Sequence, residues 1–267
     1  MPQRLVFIGG GNMAGAIFGG LLRSGWPAEA ITVVEPWVEQ RQRIGTAWPG
    51  LTLLERADAS LSTAEIVVWA VKPQTFAEAA AACAGCVTGA LQLSVMAGIR
   101  SEAIARASGS ERVVRAMPNT PALIGLGIAG LVACAAVSEA DRASVETVLA
   151  PTGQLLWLER EEQLDAVTAL SGSGPAYVFF FIEAMMEAAE QMGLTREQGR
   201  TLAQATFAGA TALAMQSDEP PATLRERVTS KGGTTFAALE SMRADSVQQA
   251  IVRALLAAQQ RARELGA

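Results

Sequence analysis

The first half of the chain alternates between short continuous apolar runs and segments with helical spacing. The apolar runs have the length and composition of strands that are buried on both faces of a parallel sheet. After the first run, Met13, Ile17 and Leu21 share one helical face, and Gly25 ends that helix. This alternation predicts a doubly wound α/β domain. The predicted strands cover residues 5–8, 31–34, 66–71, 91–95 and 113–114.

After residue 158 the pattern changes to long helical segments with almost no strand signal. Pro175 suits the first turn of a helix, and Thr195 suits the cap of the next one. Several of these helices are apolar nearly all round, as at Phe179, Phe180 and Phe181. A helix without a polar face must be covered on every side, so the second half is expected to pack against a second copy of itself. The predicted helices cover residues 177–192, 195–216, 222–229, 235–242 and 246–265.

Composition excludes several classes of site. The chain of 267 residues contains no histidine and three cysteines. A histidine general base, a serine–histidine–aspartate triad and a histidine-ligated zinc site are therefore excluded, and no metal site is expected. Cys83 and Cys86 have the spacing of a redox pair, but they lie in an alanine-rich segment that favours small core residues. Sparse cysteine is typical of the reducing cytoplasm, which is the expected location.

Charge and hydropathy also limit the partners. The net charge is −5 and there is no basic block, so a nucleic-acid surface is not expected. Residues 5–22 and 117–137 are uncharged, but glycines interrupt both and prolines break the second. Neither stretch offers an unkinked membrane-spanning helix. The sequence therefore predicts a soluble protein that acts on small molecules.

A glycine-rich segment directly after the first strand carries the strongest local signal. Gly9 permits a tight turn, Gly11 lets backbone amides approach a pyrophosphate, and Ala14 allows close packing of helix on strand. The alternative is a plain strand–helix turn, although its position at the head of a β–α alternation favours a dinucleotide site. The segment reads Ile8-Gly9-Gly10-Gly11-Asn12-Met13-Ala14.

Other polar residues follow predicted strands, at the sheet edge where ligands of open α/β folds bind. Glu35 could bind the adenosine ribose hydroxyls, which favours NAD over NADP; the alternative is a solvated residue at a strand end. Lys72, before Pro73, could bind cofactor ribose or a substrate carboxylate, or be a plain loop lysine. Pro118 and Asn119 belong to a loop with two prolines, which indicates a rigid wall near the nicotinamide or a bland turn.

The helical half contains two glycine-rich breaks, at residues 171–175 and 230–235. Glycine pairs followed by hydroxyl residues at a helix start can direct several amides and hydroxyls toward one carboxylate-sized anion. An ordinary capped helix–helix turn is the alternative for either segment.

Taken in order, these motifs resemble the pyrroline-5-carboxylate reductase family over essentially the whole chain. The last two motifs carry most of the specificity, because many dehydrogenases share the first. The matching segments are Gly9 to Ala14, Ala70 to Gln74, Met117 to Pro121, Asp165 to Thr168, Ser171 to Tyr177 and Val228 to Thr235.

The resemblance implies an N-terminal Rossmann-type dinucleotide-binding domain over residues 1–160. It also implies an all-helical dimerisation and substrate-binding domain over residues 161–267, in a homodimer or higher homo-oligomer. NADPH or NADH is the implied cofactor, bound by Ile8, Gly9, Gly10, Gly11, Asn12, Met13, Ala70, Val71, Lys72 and Pro73, with Glu35, Pro118 and Asn119 as further candidates. The implied substrate contacts are Glu161, Ser230, Gly232, Gly233, Thr234 and Thr235.

The implied reaction is hydride transfer from the nicotinamide to a cyclic imine, which gives L-proline. A protonated imine is already electrophilic, so the protein has to anchor and align it rather than supply a strong acid or a metal. Thr235 is the candidate catalytic residue, because a hydroxyl can serve either protonation state of the imine nitrogen. A β-hydroxyacid dehydrogenase, a nucleotide-sensing module and an imine reductase for other amines are the alternatives.

Overall fold

The computed structural model describes residues 2–266 and contains one eight-stranded sheet. The strand order is β3-β2-β1-β4-β5-β6-β7-β8, and every neighbouring pair is parallel except the antiparallel pair β6–β7. The predicted α/β class is therefore confirmed. The strands are β1 (Leu5–Ile8), β2 (Ile31–Val34), β3 (Thr52–Leu54), β4 (Ile66–Trp69), β5 (Leu91–Ser94), β6 (Val113–Met117), β7 (Gly127–Ala133) and β8 (Gly153–Trp157).

The five predicted strands are present, and three further strands escaped the sequence pattern. Strand β3 has only three residues, and β8 contains the apolar residues Leu155, Leu156 and Trp157 but exposes alternate positions. Strand β7 is rich in glycine and alanine, which are weak strand signals. Gly130 in β7 is needed because a Cβ there would lie 2.8 Å from Cγ2 of Val167. The glycines that hid this strand thus allow close packing against it.

Helices cover both faces of the sheet and enclose two apolar clusters. On one face Phe18 packs edge-to-face on Trp48, and on the other Trp69 donates its indole N–H to Gln92 Oε1 at 2.8 Å. Cys83 is buried in the second cluster, and burial raises the pKa of its thiol to about 11, which confirms the core interpretation. These helices are α1 (Asn12–Arg23), α2 (Val38–Ala47), α3 (Phe76–Ala82), α4 (Ser101–Ser108) and α5 (Glu139–Leu149).

The compact unit built on the sheet extends to Ser173 and also includes the chain from Ala258 onward. Two ion pairs attach residues 161–173 to the sheet unit. Arg115 NH1 lies 2.7 Å from Glu161 Oε1, and Arg100 NH2 lies 3.1 Å from Asp165 Oδ2. The segment contains α6 (Gln163–Val167) and a π-helical turn, Thr168–Gly172. The predicted division at residue 160 therefore stays a statement about domain roles, since the sheet unit continues through α6 and the π-helical turn to Ser173.

Residues 174–257 form a second, entirely helical unit. Its apolar side chains are largely exposed: Phe179 is 60% exposed and Phe180 is 68% exposed. No helix within residues 2–266 combines the length and the hydropathy needed to cross a membrane. The helices are α7 (Gly174–Gln191), α8 (Arg196–Met215), α9 (Pro221–Arg227), α10 (Thr234–Ala244) and α11 (Val247–Leu265), the last of which continues into the sheet unit.

Candidate active site

The glycine-rich segment forms a tight turn between β1 and α1, as the sequence predicts. Gly9 has φ +96°, and its amide donates to the Val34 carbonyl at 2.9 Å. A Cβ at Gly9 would lie 2.8 Å from the Ala70 carbonyl oxygen, so a side chain is excluded there. Ile8 and Gly10 are buried beside it. The backbone conformation of the turn is therefore fixed by contacts with the end of β2 and with the residues after β4.

Glu35 braces this turn from the end of β2. Its Oε2 accepts the Gly10 amide at 2.9 Å, and its Oε1 accepts the Trp37 amide at 3.1 Å. Gln40 Nε2 donates to the Gly10 carbonyl at 2.7 Å, so both backbone groups of Gly10 are bonded to side chains. Glu35 is only 9% exposed. The structure thus places the predicted ribose-reading carboxylate at the glycine turn, and its contact with ribose stays a prediction.

The start of α1 is open to a ligand. Gly11 occupies the N-cap position, contributes no capping side chain, and has no neighbour within 4 Å of the place where a Cβ would be. Gly11 and Asn12 are exposed, and Met13 is half-buried. The first amides of a helix have no intrahelical acceptor and carry positive potential, which suits a pyrophosphate. These residues therefore fit the phosphate part of a dinucleotide.

The segment after β4 lies against the glycine turn. The Ala70 amide donates to the Ile8 carbonyl at 2.9 Å, and Val71 Cγ1 would lie 3.0 Å from a Cβ on Gly9. Ala70 and Val71 are half-buried, whereas Lys72 and Pro73 are exposed. The structure thus brings the two predicted cofactor segments together and leaves the Lys72 ammonium accessible.

The loop after β6 provides less exposed surface than its sequence suggests. Pro118 is buried and Asn119 is half-buried. Asn119 Nδ2 donates to the Ser171 carbonyl at 3.1 Å, and its Oδ1 accepts the Ile128 amide at 3.0 Å. The side-chain amide therefore has partners within the protein, and direct contact of Pro118 and Asn119 with cofactor stays a prediction.

The second predicted anion site, at residues 230–235, is an uncapped helix start. The Gly233 amide donates to the Ser230 carbonyl at 3.0 Å, and Gly232 has φ +75°, as in a type II turn. Gly233 is the N-cap of α10 and has no side chain to satisfy the first amides. Thr234 and Thr235 are then the first two helical residues. Ser230, Gly232 and Thr234 are exposed, while Gly233 and Thr235 are half-buried.

The start of α8 in the same helical unit shows the contrast. There Thr195 Oγ1 accepts the Gln198 amide at 3.2 Å, and Gln198 Oε1 accepts the Thr195 amide at 2.8 Å. This capping box satisfies two backbone amides within the helix itself. Helix α10 has no such box: its N-cap is Gly233, so Thr235 is not the cap, and the first helical amides, from Thr234 onward, suit a carboxylate. The Gly233 amide itself is already bonded to the Ser230 carbonyl.

The other predicted anion site, at residues 171–175, forms differently. Residues Thr168–Gly172 make a π-helical turn, in which the Ser173 amide donates to the Thr168 carbonyl at 2.8 Å. The Ser173 amide therefore has a partner inside the chain, and Pro175 lies in the first turn of α7 as predicted. Glycines that could form a ligand nest also permit a widened helical turn, so anion binding by this segment stays a prediction.

Glu161 lies in a polar cluster with Ser101 and Arg115. Its Oε1 accepts the Ser101 amide at 2.7 Å, the Ser101 hydroxyl at 3.0 Å and Arg115 NH1 at 2.7 Å. Burial acts to raise the pKa of Glu161, but hydrogen bonds from Arg115 and Ser101 outweigh it and hold that pKa below its usual value. Substrate contact by Glu161 stays a prediction, and its partners favour a bracing role.

Sequence reasoning missed the basic half of this cluster. Arg115 is 4% exposed in the middle of β6, and Arg100 lies just before α4. An arginine inside an apolar run was the available signal, because a charge that is buried in a strand needs a carboxylate partner.

Both halves of the chain are similar to known protein families. Residues 161–265 match the family model described as pyrroline-5-carboxylate reductase dimerisation, and residues 4–98 match the one described as NADP oxidoreductase, coenzyme F420-dependent. The pyrroline-5-carboxylate reductase of Pseudomonas aeruginosa is 42% identical over 98% of this chain and 96% of its own. The chain belongs to the pyrroline-5-carboxylate reductase family.

Solved structures of pyrroline-5-carboxylate reductases have the same fold. The enzyme from Coxiella burnetii superposes with a TM-score of 0.92 at 33% identity, covering 100% of both chains. The enzyme from Plasmodium falciparum, solved with NADP bound, superposes with a TM-score of 0.86 at 27% identity, covering 99% of this chain and 98% of its own. The Rossmann-type domain followed by a helical dimerisation domain is therefore confirmed, and so is the resemblance found in the sequence.

Proposed function

We propose that this chain reduces 1-pyrroline-5-carboxylate to L-proline by hydride transfer from NAD(P)H. Its membership of the family over the full length supports this reaction. The geometric observation that carries the proposal is the uncapped start of α10, where Gly233 leaves backbone amides beside the Thr235 hydroxyl. A substrate that combines a carboxylate with a nearby imine nitrogen matches that pair of groups.

The cofactor would be held by the glycine turn and its neighbours. Residues 8–13 and 70–73 fit its phosphates and nicotinamide ribose, Glu35 would lie near the adenosine ribose, and residues 118–119 near the nicotinamide. The reduced nicotinamide supplies a hydride when it is bound. Glu35 fixes the Gly10 amide, so the turn is organised before any ligand arrives and binding costs less ordering entropy.

The substrate carboxylate would bind at the start of α10. The Thr234 amide at the helix start would donate to it, and the Ser230 hydroxyl would add a further donor. Gly232 and Gly233, whose own amide bonds the Ser230 carbonyl, form the turn that brings these donors together. Thr235 would hold the imine nitrogen through its hydroxyl, which donates to a neutral imine or accepts from a protonated one. A protonated imine accepts hydride readily, so the protein aligns the ring and excludes water.

The finer features of the assembly are also proposals. Residues 1–160 serve nucleotide binding, and residues 161–267 serve substrate binding and self-association in a homodimer or larger homo-oligomer. The dimerisation match and the exposed phenylalanines of α7 support association through the helices. The free cysteines Cys83, Cys86 and Cys134 suit the cytoplasm, and the net charge of −5 gives no support to nucleic-acid binding.

Oxidation of NADH and NADPH in the presence of racemic 1-pyrroline-5-carboxylate tests the proposed reaction. We expect turnover of half of the racemate, with L-proline as the product. A cyclic imine without the carboxylate is the matched control and should turn over poorly, because the amides at α10 would have no partner. Equal turnover of the two imines, or activity on 2-hydroxy acids alone, would contradict the proposal.

A further inference from the structure

The helix that follows Glu161 contains a π-helical turn in its last residues before Gly174. The Ser173 amide donates to the Thr168 carbonyl five residues earlier, at 2.8 Å, in place of the usual partner four residues earlier. Such a turn accommodates one extra residue, and π-helical turns are rare and concentrated at functional sites. An α-helical path is normally preferred, so a π-turn needs contacts that hold it open.

The last residue of β6 and the loop that follows it supply two such contacts. Asn119 Nδ2 donates to the Ser171 carbonyl at 3.1 Å, which gives this carbonyl a partner outside the helix. Met117 packs on the same turn, where its Cε would lie only 2.8 Å from a Cβ on Gly172. Asn119 is itself fixed, since its Oδ1 accepts the Ile128 amide at 3.0 Å. Met117, the last residue of β6, and Asn119, in the loop that follows it, therefore each contact the π-turn.

We infer that Asn119 is a positioning residue for hydride transfer, which holds the π-turn at Thr168–Gly172 open through its bond to the Ser171 carbonyl. The inference rests on the proposed function, with cofactor on the sheet unit and substrate on the helices. It replaces direct cofactor contact as the main role of Asn119, because its amide both donates and accepts within the protein.

The consequence follows from helix geometry. Successive residues of an α-helix are about 100° apart around its axis. If the π-helical turn changed to an α-helical turn, the residues that follow it would therefore rotate by about that angle around the helix axis. Helix α7 begins at Gly174, directly after the turn. Asn119 thus sets the rotational phase with which the chain enters α7, and hydride transfer is sensitive to small misalignments.

Asn119→Asp isolates the donor half of this contact. A carboxylate still accepts the Ile128 amide, but it has no N–H for the Ser171 carbonyl and faces that carbonyl with a negative charge. We expect faster hydrogen exchange at the Ser173 amide and a fall in kcat of roughly tenfold or more. The dissociation constants for NADPH and for L-proline, each measured alone by calorimetry, should change by less than about twofold, because either ligand alone needs no alignment with the other.

Asn12→Asp is the matched control, because it makes the same chemical change on the exposed glycine turn. It should weaken NADPH binding and leave exchange at the Ser173 amide unchanged. If Asn119→Asp behaves in the same way as Asn12→Asp, Asn119 is a cofactor contact and the inference is wrong. If it lowers the melting temperature while kcat and Ser173 exchange stay unchanged, its role is stability alone and the inference is also wrong.

Met117→Ala provides a second test if Asn119→Asp folds poorly. Removing the side chain that packs on Gly172 should also speed exchange at the Ser173 amide. Unchanged exchange would contradict the inference that these contacts stabilise the π-turn. Hydrogen exchange does not depend on the substrate, so it tests the π-turn even if the unmodified enzyme fails to reduce 1-pyrroline-5-carboxylate. That failure would remove the proposed function and leave the structural part of the inference to be judged separately.

Discussion

The two compact units of this chain treat their apolar side chains in opposite ways. The sheet unit encloses Phe7, Val68 and Trp69 completely, whereas the helical unit exposes Phe179 and Phe180. A unit with a complete core can fold alone, but a helix with apolar residues on several sides needs a partner surface. One half of the sequence therefore specifies a domain with its own core, and the other half specifies a surface for association.

The largest expected effect comes from charging the exposed helical surface. Phe180→Asp should abolish the homodimer, because an unpaired carboxylate would be buried in the proposed interface. Light scattering over a dilution series measures the assembly. Ile124→Asp is the matched control, since Ile124 is 73% exposed on the sheet unit and its charge should leave the dimer intact. Loss of the dimer in the control would show that the sheet unit also forms the interface.

The ion pair between Arg115 and Glu161 should stabilise the sheet unit. Arg115→Met removes a donor from Glu161 and should lower the free energy of unfolding by about 1.5–3 kcal/mol, the usual range for hydrogen bonds to charged groups. Adding Glu161→Gln should restore part of this loss, because no carboxylate is then left without its guanidinium. Urea unfolding of both single variants and the double variant measures the coupling. Additive losses would contradict it.

The same pair predicts how stability depends on pH. The pKa of Glu161 is lowered in the folded state, so its contribution is present above the ordinary glutamate pKa and is lost as the pH falls through the lower folded pKa. Glu161→Gln should therefore flatten the acid side of the stability profile, measured by urea unfolding at several acidic pH values. An unchanged acid limb would show that other carboxylates control it.

Thr235→Ala tests the helical unit, to which the proposed function assigns substrate binding. One hydrogen bond to a polar or charged reacting group contributes about 1.5–3 kcal/mol, so kcat/KM should fall roughly ten- to a hundredfold. Cofactor affinity and the melting temperature should persist, because Gly233 is the N-cap. Thr234→Ala controls for loss of a neighbouring hydroxyl and should cost less. A destabilised but fully active Thr235→Ala would mean that its hydroxyl stabilises the helix start.

The smallest effect concerns the cofactor. Glu35 lies beside the glycine turn, so NADH should serve at least as well as NADPH. Glu35→Ser should then shift preference toward NADPH by about 1–2 kcal/mol through relief of charge repulsion. The substitution also releases the Gly10 amide, so binding of both cofactors should weaken somewhat. Binding titrations with each cofactor decide this, and a large NADPH preference in the unmodified enzyme would contradict the prediction.

Local signals were sufficient where a residue acts through its immediate neighbours. The β1 turn was predictable because Gly9 needs a positive φ, and the start of α8 because Thr195 can cap it. Contacts between distant parts of the chain were not predictable. The bonds from Arg115 to Glu161 and from Asn119 to Ser171 span 46 and 52 residues, and no periodicity in a single sequence encodes such pairs.

The distribution of aromatic residues allows the unfolding of the two units to be followed by separate spectroscopic signals. All five tryptophans precede residue 158, and the one tyrosine, Tyr177, lies in α7. Tryptophan emission therefore reports on the sheet unit alone, with Trp69 fully shielded beside Gln92. Far-ultraviolet circular dichroism is weighted toward the long helices. If the units unfold separately, the two signals will give different denaturation midpoints, and a single coincident transition will mean that the units lose structure together.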